Sequence, residues 1–593
     1  MKIYSTSNLF IYALAAALPL VAQAPPDVPT EFQATYNNMA TQIGAFQATL
    51  NKDWNGTPYA VNWAPHLSSA ESDNYLALLG AGYYDNSVLT ELLELQATGA
   101  KSVTVHINFP ILYQPFYAYT GAPGNFQQFV AFYQQMARDI HARGMKLVVE
   151  ATVNEALDGT QGAAYAPYYA TLDWTDYMNA RAQNAVNIAQ LVKPDYLSLI
   201  CEPDSEANNA GQPTENSPSG AMQLLQTILG AFEQAKVTGV TIGAGAGTWI
   251  AGYTSYIQEF STTSLNYIDT HVYPVNNNFL PNVLTAATMI HQAGKAMAMS
   301  EAWPDKEANS ELGVLNINTI DSRDVFSFWA PIDTAFLQAM VDCAEYEDFA
   351  FLSPSYPEYF AAYLDYTTYE ADTPAELLPA GFTAAAAANR VGAFTSTGVA
   401  FSTMIVGVDK TAPVTPAAPT ASGISGTGVT ITWIPTTDKV GVAGYKIFRD
   451  GAVVSELAMS PFHDTPLTPG ATYSYNLSAF DAQGNVSAQS PALSVTILDL
   501  AAPSVPQNLR LTSETKNSLS LSWSPSTGGG GVGGYRVLRG DSPTTMSIID
   551  GFDLVTSYTY PYAIPKVSYF AVESYNLIGV SSVPSAVLEV SGP

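Results

Sequence analysis

A chain of 593 residues exceeds what one hydrophobic core organises, so several domains are expected. With 51 acidic against 22 basic residues the formal charge is −29, which argues against nucleic acid and anionic lipid as partners and for a neutral one. Two cysteines are too few for a disulfide framework, whereas 35 tyrosines and eight tryptophans supply flat, half-polar faces that stack on sugars as well as fill cores.

The amino end reads as a signal peptide over residues 1–24. Lys2 precedes the apolar stretch Leu9 to Val21, and Ala22-Gln23-Ala24 supplies the small-x-small cleavage pattern. A membrane anchor is the weaker reading, because the run is short and Pro25-Pro26-Asp27 follows at once. No other apolar run spans a bilayer, so the expectation is a secreted protein, extracellular or periplasmic, with no transmembrane segment.

From Tyr59 to Leu352 short apolar runs alternate with amphipathic stretches. The predicted strands are Tyr59 to Trp63, Ser102 to Ile107, Lys146 to Ala151, Tyr196 to Glu202, Val240 to Ala244, Tyr267 to Tyr273, Ala296 to Glu301 and Asp348 to Leu352. Between them Phe126, Phe129, Val130, Tyr133, Met136, Ala137 and Ile140 keep helical spacing, as do Leu225, Ile228, Leu229 and Phe232. Eight strands alternating with helices predict a closed β/α (TIM) barrel over residues 25–408, since parallel strands need crossover helices that cover both faces. An open doubly wound sheet is disfavoured because no glycine-rich turn follows Tyr59 to Trp63. Cys201 lies in the fourth run and Cys343 in a helical stretch, so both are expected to be free thiols.

Past Gly407 helical spacing gives way to alternating strands such as Val429 to Trp433 and Leu519 to Trp523. Trp433 and Trp523, Tyr445 and Tyr535, and Arg449 and Arg539 stand 90 positions apart (523 − 433 = 90), which predicts two tandem β-sandwiches, residues 409–498 and 499–593. These copies resemble fibronectin type III modules. Gly444 to Arg449 and Gly534 to Arg539 take the place of that family's third strand, and Leu467-Thr-Pro-Gly-Ala-Thr-Tyr473 resembles its tyrosine corner, which the second copy lacks.

Two of the barrel runs end in a glutamate, Glu202 before Pro203 on the fourth and Glu301 on the seventh. Parallel strands deliver both carboxylates to the same edge of the sheet, and two facing carboxylates cleave a glycosidic bond without metal or cofactor. On the sixth strand, alternation sends His271 and Tyr273 to one side. Trp303, two residues past Glu301, is a candidate sugar platform; Trp63, Trp249 and Tyr356 also fall near strand ends, where core packing is the competing explanation. Glu150 ends the third strand and is placed to bond a hydroxyl or a neighbouring group. The histidines His66, His106, His141, His271, His291 and His463 show no metal-ligand spacing, and no calcium loop, serine-hydrolase elbow or phosphate-binding glycine loop occurs. Neither a metal nor a cofactor is therefore expected, and nothing sets an oligomeric state.

Glutamate-proline at the end of strand four, histidine-x-tyrosine on strand six and glutamate at the end of strand seven resemble the retaining glycoside hydrolases of clan A. The resemblance implies that Glu202 is the acid/base and Glu301 the nucleophile, that Tyr273 bonds the Glu301 carboxylate, and that His271 lines the cleavage subsite. Two departures stand out. Cys201 occupies the position where that clan carries a sugar-binding asparagine, and strand two ends Val103-Thr-Val-His106-Ile-Asn108 without the clan's arginine, leaving His106 or Asn108 to serve. The expected function is thus a secreted retaining β-glycosidase acting on a carbohydrate polymer. The alternative is a catalytically inactive carbohydrate-binding protein on the same scaffold, with adhesion-type sandwich modules.

Overall fold

The computed structural model describes residues 27–54, 56–154, 165–563 and 567–592; the segment expected to be a signal peptide lies outside them. Contacts group the chain into two compact units. The first takes the residues through Val414 with Thr437–Tyr445 and Ala479–Ser487; the second takes Thr415–Thr436, Lys446–Ser478 and Ala488 onward.

The first unit holds eight parallel strands, β1 (Asn62–Trp63), β2 (Ser102–His106), β3 (Lys146–Glu150), β4 (Tyr196–Ser198), β5 (Thr241–Gly247), β6 (Tyr267–Val272), β7 (Ala296–Ala302) and β8 (Phe349–Pro354). They are ordered β1-β8-β7-β6-β5-β4-β3-β2. A parallel bridge between His66 and Thr104 closes the seam, with Leu67 N donating to Thr104 O at 2.8 Å and Thr104 N to Pro65 O at 3.1 Å. The fold is therefore an eight-stranded β/α barrel, and each predicted strand overlaps one of the observed ones, with β5, β7 and β8 running past their predicted ends.

Side chains fill the cylinder's interior. Ala64, Val148, Tyr267, Ala298 and Phe351 form an apolar cluster, with Tyr267 and Phe351 edge to face at 5.3 Å. Strand β5 makes room by alternating glycine with alanine. A Cβ on Gly243 would stand 2.1 Å from the Tyr267 ring, and one on Gly245 would stand 1.7 Å from the Asp269 carbonyl oxygen.

The helices cover the outside through the faces their spacing predicts. Asn125–Ala142 buries Phe126, Phe129, Val130, Tyr133, Met136, Ala137 and Ile140, each large side chain worth about 1.5 to 3 kcal/mol of transfer free energy. It stops where Gly144 takes φ +71° and its N–H reaches His141 O at 2.9 Å. Pro218–Ala235 starts at Ser217, whose Oγ accepts from Gly220 N at 3.1 Å. Cys201 and Cys343 are buried free thiols. Two features were not foreseen: Gln33–Asp53 forms a helix ahead of β1, and Pro374–Val391 and Ser396–Val406 add helices after β8.

One expected element differs in kind. The fourth strand stops at Ser198, and Glu202 caps a short helix, Pro203–Ala210, instead of ending a strand. Proline fixes φ near the helical value and lacks the N–H that a first helical residue leaves unused, so Pro203 starts a helix where the strand pattern still looks apolar.

Each repeat beyond the barrel is built from a three-stranded and a four-stranded antiparallel sheet, a fibronectin type III-like β-sandwich. In the first repeat Val429–Thr432 pairs with Thr420–Ser422 and Phe462–Asp464, and the other sheet is ordered Ala452–Leu457, Gly444–Arg449, Thr472–Phe480, Leu493–Thr496. Tyr473 Oη accepts from Thr468 N at 3.0 Å, the hydrogen bond of a tyrosine corner. The second repeat packs Trp523 edge to face on Tyr535 at 5.5 Å.

Candidate active site

The carboxyl ends of the barrel strands open into a cleft of about 1270 Å³. Glu202 and Glu301 face each other there. His271, on β6 between them, places Nδ1 2.9 Å from Glu202 Oε1 and 3.5 Å from Glu301 Oε2, and a carboxylate oxygen of each glutamate lies within 4.8 Å of the other. Inverting glycosidases need roughly 6.5 to 9.5 Å between carboxyl groups to seat a water; retaining ones need about 5 to 5.5 Å.

Glu301 is 9 % exposed and held from two sides. Tyr273 Oη donates a short hydrogen bond to its Oε2, and His106 Nε2 lies 2.8 Å from its Oε1. Burial alone would raise its pKa, yet the charges of His271 and His106 outweigh it and hold the carboxyl far below the ordinary carboxylate range. The two histidines mirror this. Burial pulls both down, but Glu301 and Glu150 beside His271, and Glu71, Glu150 and Glu301 beside His106, lift their pKa values well above the ordinary one.

Glu150 lies beneath this pair, fully buried, with oxygens 3.4 Å from His106 Nε2 and 3.5 Å from His271 Nε2 and no hydrogen bond of its own. Burial and the Glu301 charge raise its pKa against the pull of the histidines. His66 completes the floor, with Nδ1 2.6 Å from Glu71 Oε1 and Nε2 2.7 Å from the Ser300 carbonyl oxygen. Three histidines far apart in sequence thus meet around one carboxylate. Oxygen and nitrogen atoms of His66, His106 and Glu150 lie within 4.8 Å of one another, as do atoms of Glu150, Cys201 and His271, so metal-type donors converge here despite their uninformative spacing.

The Glu202 loop is fixed from behind. Glu206, one turn along the helix, accepts the backbone N–H of Cys201 at 2.9 Å and of Glu202 at 3.2 Å through Oε1, while its Oε2 pairs with the buried Arg181 at 2.7 Å. Arg181 also donates to the carbonyl oxygens of Ala151 and Leu199 and to Tyr177 Oη, which donates in turn to Glu215. Burial and the nearby Glu206 push Glu215 up to about 8. On β6, Asp269 accepts from Ser300 N at 2.9 Å and from Ser300 Oγ at 2.6 Å; that hydroxyl faces His271 Nε2 at 2.9 Å and fixes the ring's orientation.

The remaining candidates divide. Cys201 lines the cleft with a fully buried thiol whose pKa burial and Glu150 raise far above the ordinary value. Asn108 lines it too, but its Oδ1 is occupied by Thr152 N at 3.1 Å and Thr152 Oγ1 at 2.7 Å, so of His106 and Asn108 it is His106 that reaches Glu301. Tyr356 and Trp249 are on the wall, each edge to face with Tyr273, at 6.4 and 5.9 Å. Trp303 and Trp63 are not. Trp303 is 0 % exposed, packed under Tyr356 and Tyr359 with Lys306 Nζ 5.3 Å from its ring, and Trp63 belongs to the barrel core. Both are corrections to the reading of strand-end aromatics as sugar platforms: an indole at a strand end still buries itself where neighbouring rings leave a hole.

Arg181, Glu206, Glu215, His66, Glu71 and Ser300 were missed. Glu206 stands four residues beyond Glu202, a helical spacing visible once Pro203 is taken as a helix start. Asp269 lies two residues before His271, on the same strand face; the others carry no local signal.

No family model matches the chain. A 193-residue stretch is 37 % identical to exoglucanase B of Cellulomonas fimi, covering 31 % of this chain and 17 % of that protein. A 163-residue stretch is 36 % identical to chitinase A1 of Niallia circulans, covering 26 % and 23 %. The chain thus spans about a fifth of the length of these curated relatives. A crystal structure of chicken CNTN1 FN1-FN3 domains aligns over 31 % of this chain and 69 % of that one at 18 % identity, with a TM-score of 0.18.

Proposed function

We propose that the barrel is a retaining glycoside hydrolase acting on β-linked polysaccharide or oligosaccharide. The observation that carries this is the approach of the Glu202 and Glu301 carboxylates to within 4.8 Å across His271, at the open end of a cleft roomy enough for several sugar units. In this reading Glu202 protonates the departing oxygen while Glu301 attacks the anomeric carbon; water then releases the glycosyl-enzyme with Glu202 acting as base. The histidine charges and the Tyr273 hydroxyl favour the ionised nucleophile, and Trp249 and Tyr356 offer the stacking faces.

The relatives support only the setting. Matched stretches of up to 193 residues are the length of the two 90-residue repeats, so what is shared with the exoglucanase and the chitinase is, in our reading, accessory architecture, which supports a polysaccharide-degrading setting without naming a sugar. Export to the cell exterior belongs to the same proposal.

Cys201, where the clan carries asparagine, favours a second reading, a sugar-binding protein without turnover. Incubating the protein with β-glucans, mannans, galactans, xylans and chitin, beside Glu202→Ala and Glu301→Ala, separates the two. Sugar release lost in both variants supports the hydrolase; retention of polymer without release supports the binding protein. An inverted anomer as first product, followed by NMR, sinks the retaining route.

A further inference from the structure

Three aspartates outside the cleft converge within the first unit. Asp409 follows the last barrel helix, Asp438 lies in the loop before Gly444–Arg449, and Asp481 follows Thr472–Phe480. A carboxylate oxygen of each lies within 4.8 Å of the other two. Backbone amides hold the three in place: Asp409 Oδ1 accepts from Thr411 N at 2.9 Å, Asp438 Oδ2 from Val440 N at 2.7 Å and Gly441 N at 3.2 Å, and Asp481 Oδ1 from Asn485 N at 2.9 Å. What those bonds leave over is informative. Oδ2 of Asp409 and Oδ1 of Asp438 are sealed from solvent and accept no hydrogen bond, and none of the three carboxylates forms an ion pair among the described residues.

A buried carboxylate oxygen without a donor is expensive, and three negative charges within such a distance multiply the cost unless a cation neutralises them. We propose that these aspartates bind a calcium ion. The donors are all oxygen, which selects a hard cation, and three carboxylate oxygens within 4.8 Å of one another can share one ion at bonds of about 2.3 to 2.6 Å. Magnesium demands near-octahedral geometry and usually keeps several waters with one or two carboxylates, whereas calcium takes several carboxylates in irregular geometry, so three converging aspartates favour calcium.

The second repeat is an internal control. Asp499 stands 90 positions after Asp409 and likewise accepts a backbone amide, that of Ala501, at 2.9 Å. Ninety positions after Asp438 there is Gly528, and Asn576 follows the bridged Tyr575 as Asp481 follows the bridged Phe480. The Asn576 amide donates to the carbonyl oxygens of Asp499 at 3.2 Å and Ala501 at 3.0 Å. With two carboxylates replaced, that copy closes its turns by hydrogen bonds and has no site for the ion.

The test uses full-length protein stripped with chelator and titrated with calcium chloride by calorimetry, with thermal melts alongside. It does not depend on sugar cleavage. One calcium per chain is expected, with Tm raised by about 3 °C or more at a concentration some hundred-fold above Kd. Asp438→Asn keeps an oxygen for the Val440 and Gly441 amides and so keeps the fold, verified by circular dichroism; it and Asp409→Asn weaken binding by about ten-fold or more. Asp499→Asn leaves binding unchanged. Absence of both heat and Tm shift overturns the proposal, as does a full response in Asp438→Asn, a response abolished by Asp499→Asn, or magnesium binding as tightly as calcium.

Discussion

Glu301 keeps its charge against burial because two protonated imidazoles face it, and the consequence reads out in pH. His106 and His271 have folded-state pKa values above the ordinary value of about 6.5, so the stability they contribute is complete below that pH and is lost as pH rises through the folded values. Glu301 has the opposite sign: its contribution is present above about pH 4.3 and disappears only as pH falls through its lowered value. The Tm of the wild-type protein is therefore expected to fall on the alkaline side, and the fall is expected to shrink in His271→Gln; identical alkaline slopes would contradict the charge assignment. Tyr273→Phe removes one hydrogen bond to a charged acceptor, worth about 1.5 to 3 kcal/mol, so if Glu301 is the nucleophile kcat drops about ten- to hundred-fold. Glu202→Ala is expected to lose about 10²- to 10⁴-fold on unactivated substrates and much less on an aryl glycoside whose leaving group needs no proton. Equal losses on both substrates would remove Glu202 from the acid role.

At the scale of the element, the short helix Pro203–Ala210 carries as much of the site as any strand. Its Glu206 ties the two amides ahead of it to Arg181, and Arg181 ties the helix to the ends of β3 and β4. Removing one partner from a buried ion network leaves an uncompensated charge and costs about 3 to 5 kcal/mol. Arg181→Met is expected to lower Tm and kcat together, with partial recovery in Arg181→Lys; an unchanged Tm would show the network to be dispensable. Past β7, Trp303 supports the cleft from below. Trp303→Ala deletes a buried indole at a cost of about 3 to 5 kcal/mol, which appears as a lower Tm with little change in KM for short oligosaccharides. A raised KM at constant Tm would restore the sugar-platform reading.

For the whole molecule, the division at 408 and 409 inferred from composition is the point to test. Loops 437–445 and 479–487 group with the barrel, and within that unit Gln483 Nε2 donates to Gly407 O at 3.0 Å. A chain ended at 498 is expected to keep the Tm of the barrel transition, whereas one ended at 408 loses several degrees; equal melting of the two would make the first repeat an independent appendage.

Sequence alone determined the eight parallel strands, the tandem sandwiches and the edge at which Glu202 and Glu301 emerge, because these follow from period-2 and period-3.6 hydrophobic patterning, from a 90-residue repeat and from the direction of parallel strands. Even Tyr273 and His271 were legible together, two residues apart on one strand face. Tertiary structure decided what stands around them. His66, His106, His271 and Glu150 come from four strand ends, Arg181 reaches Glu206 from another helix, and Asp409, Asp438 and Asp481 come from three loops. Local patterning records which face of an element is buried; it does not record which buried groups of distant elements share a dielectric and a charge, and that sharing sets ionisation and ion binding.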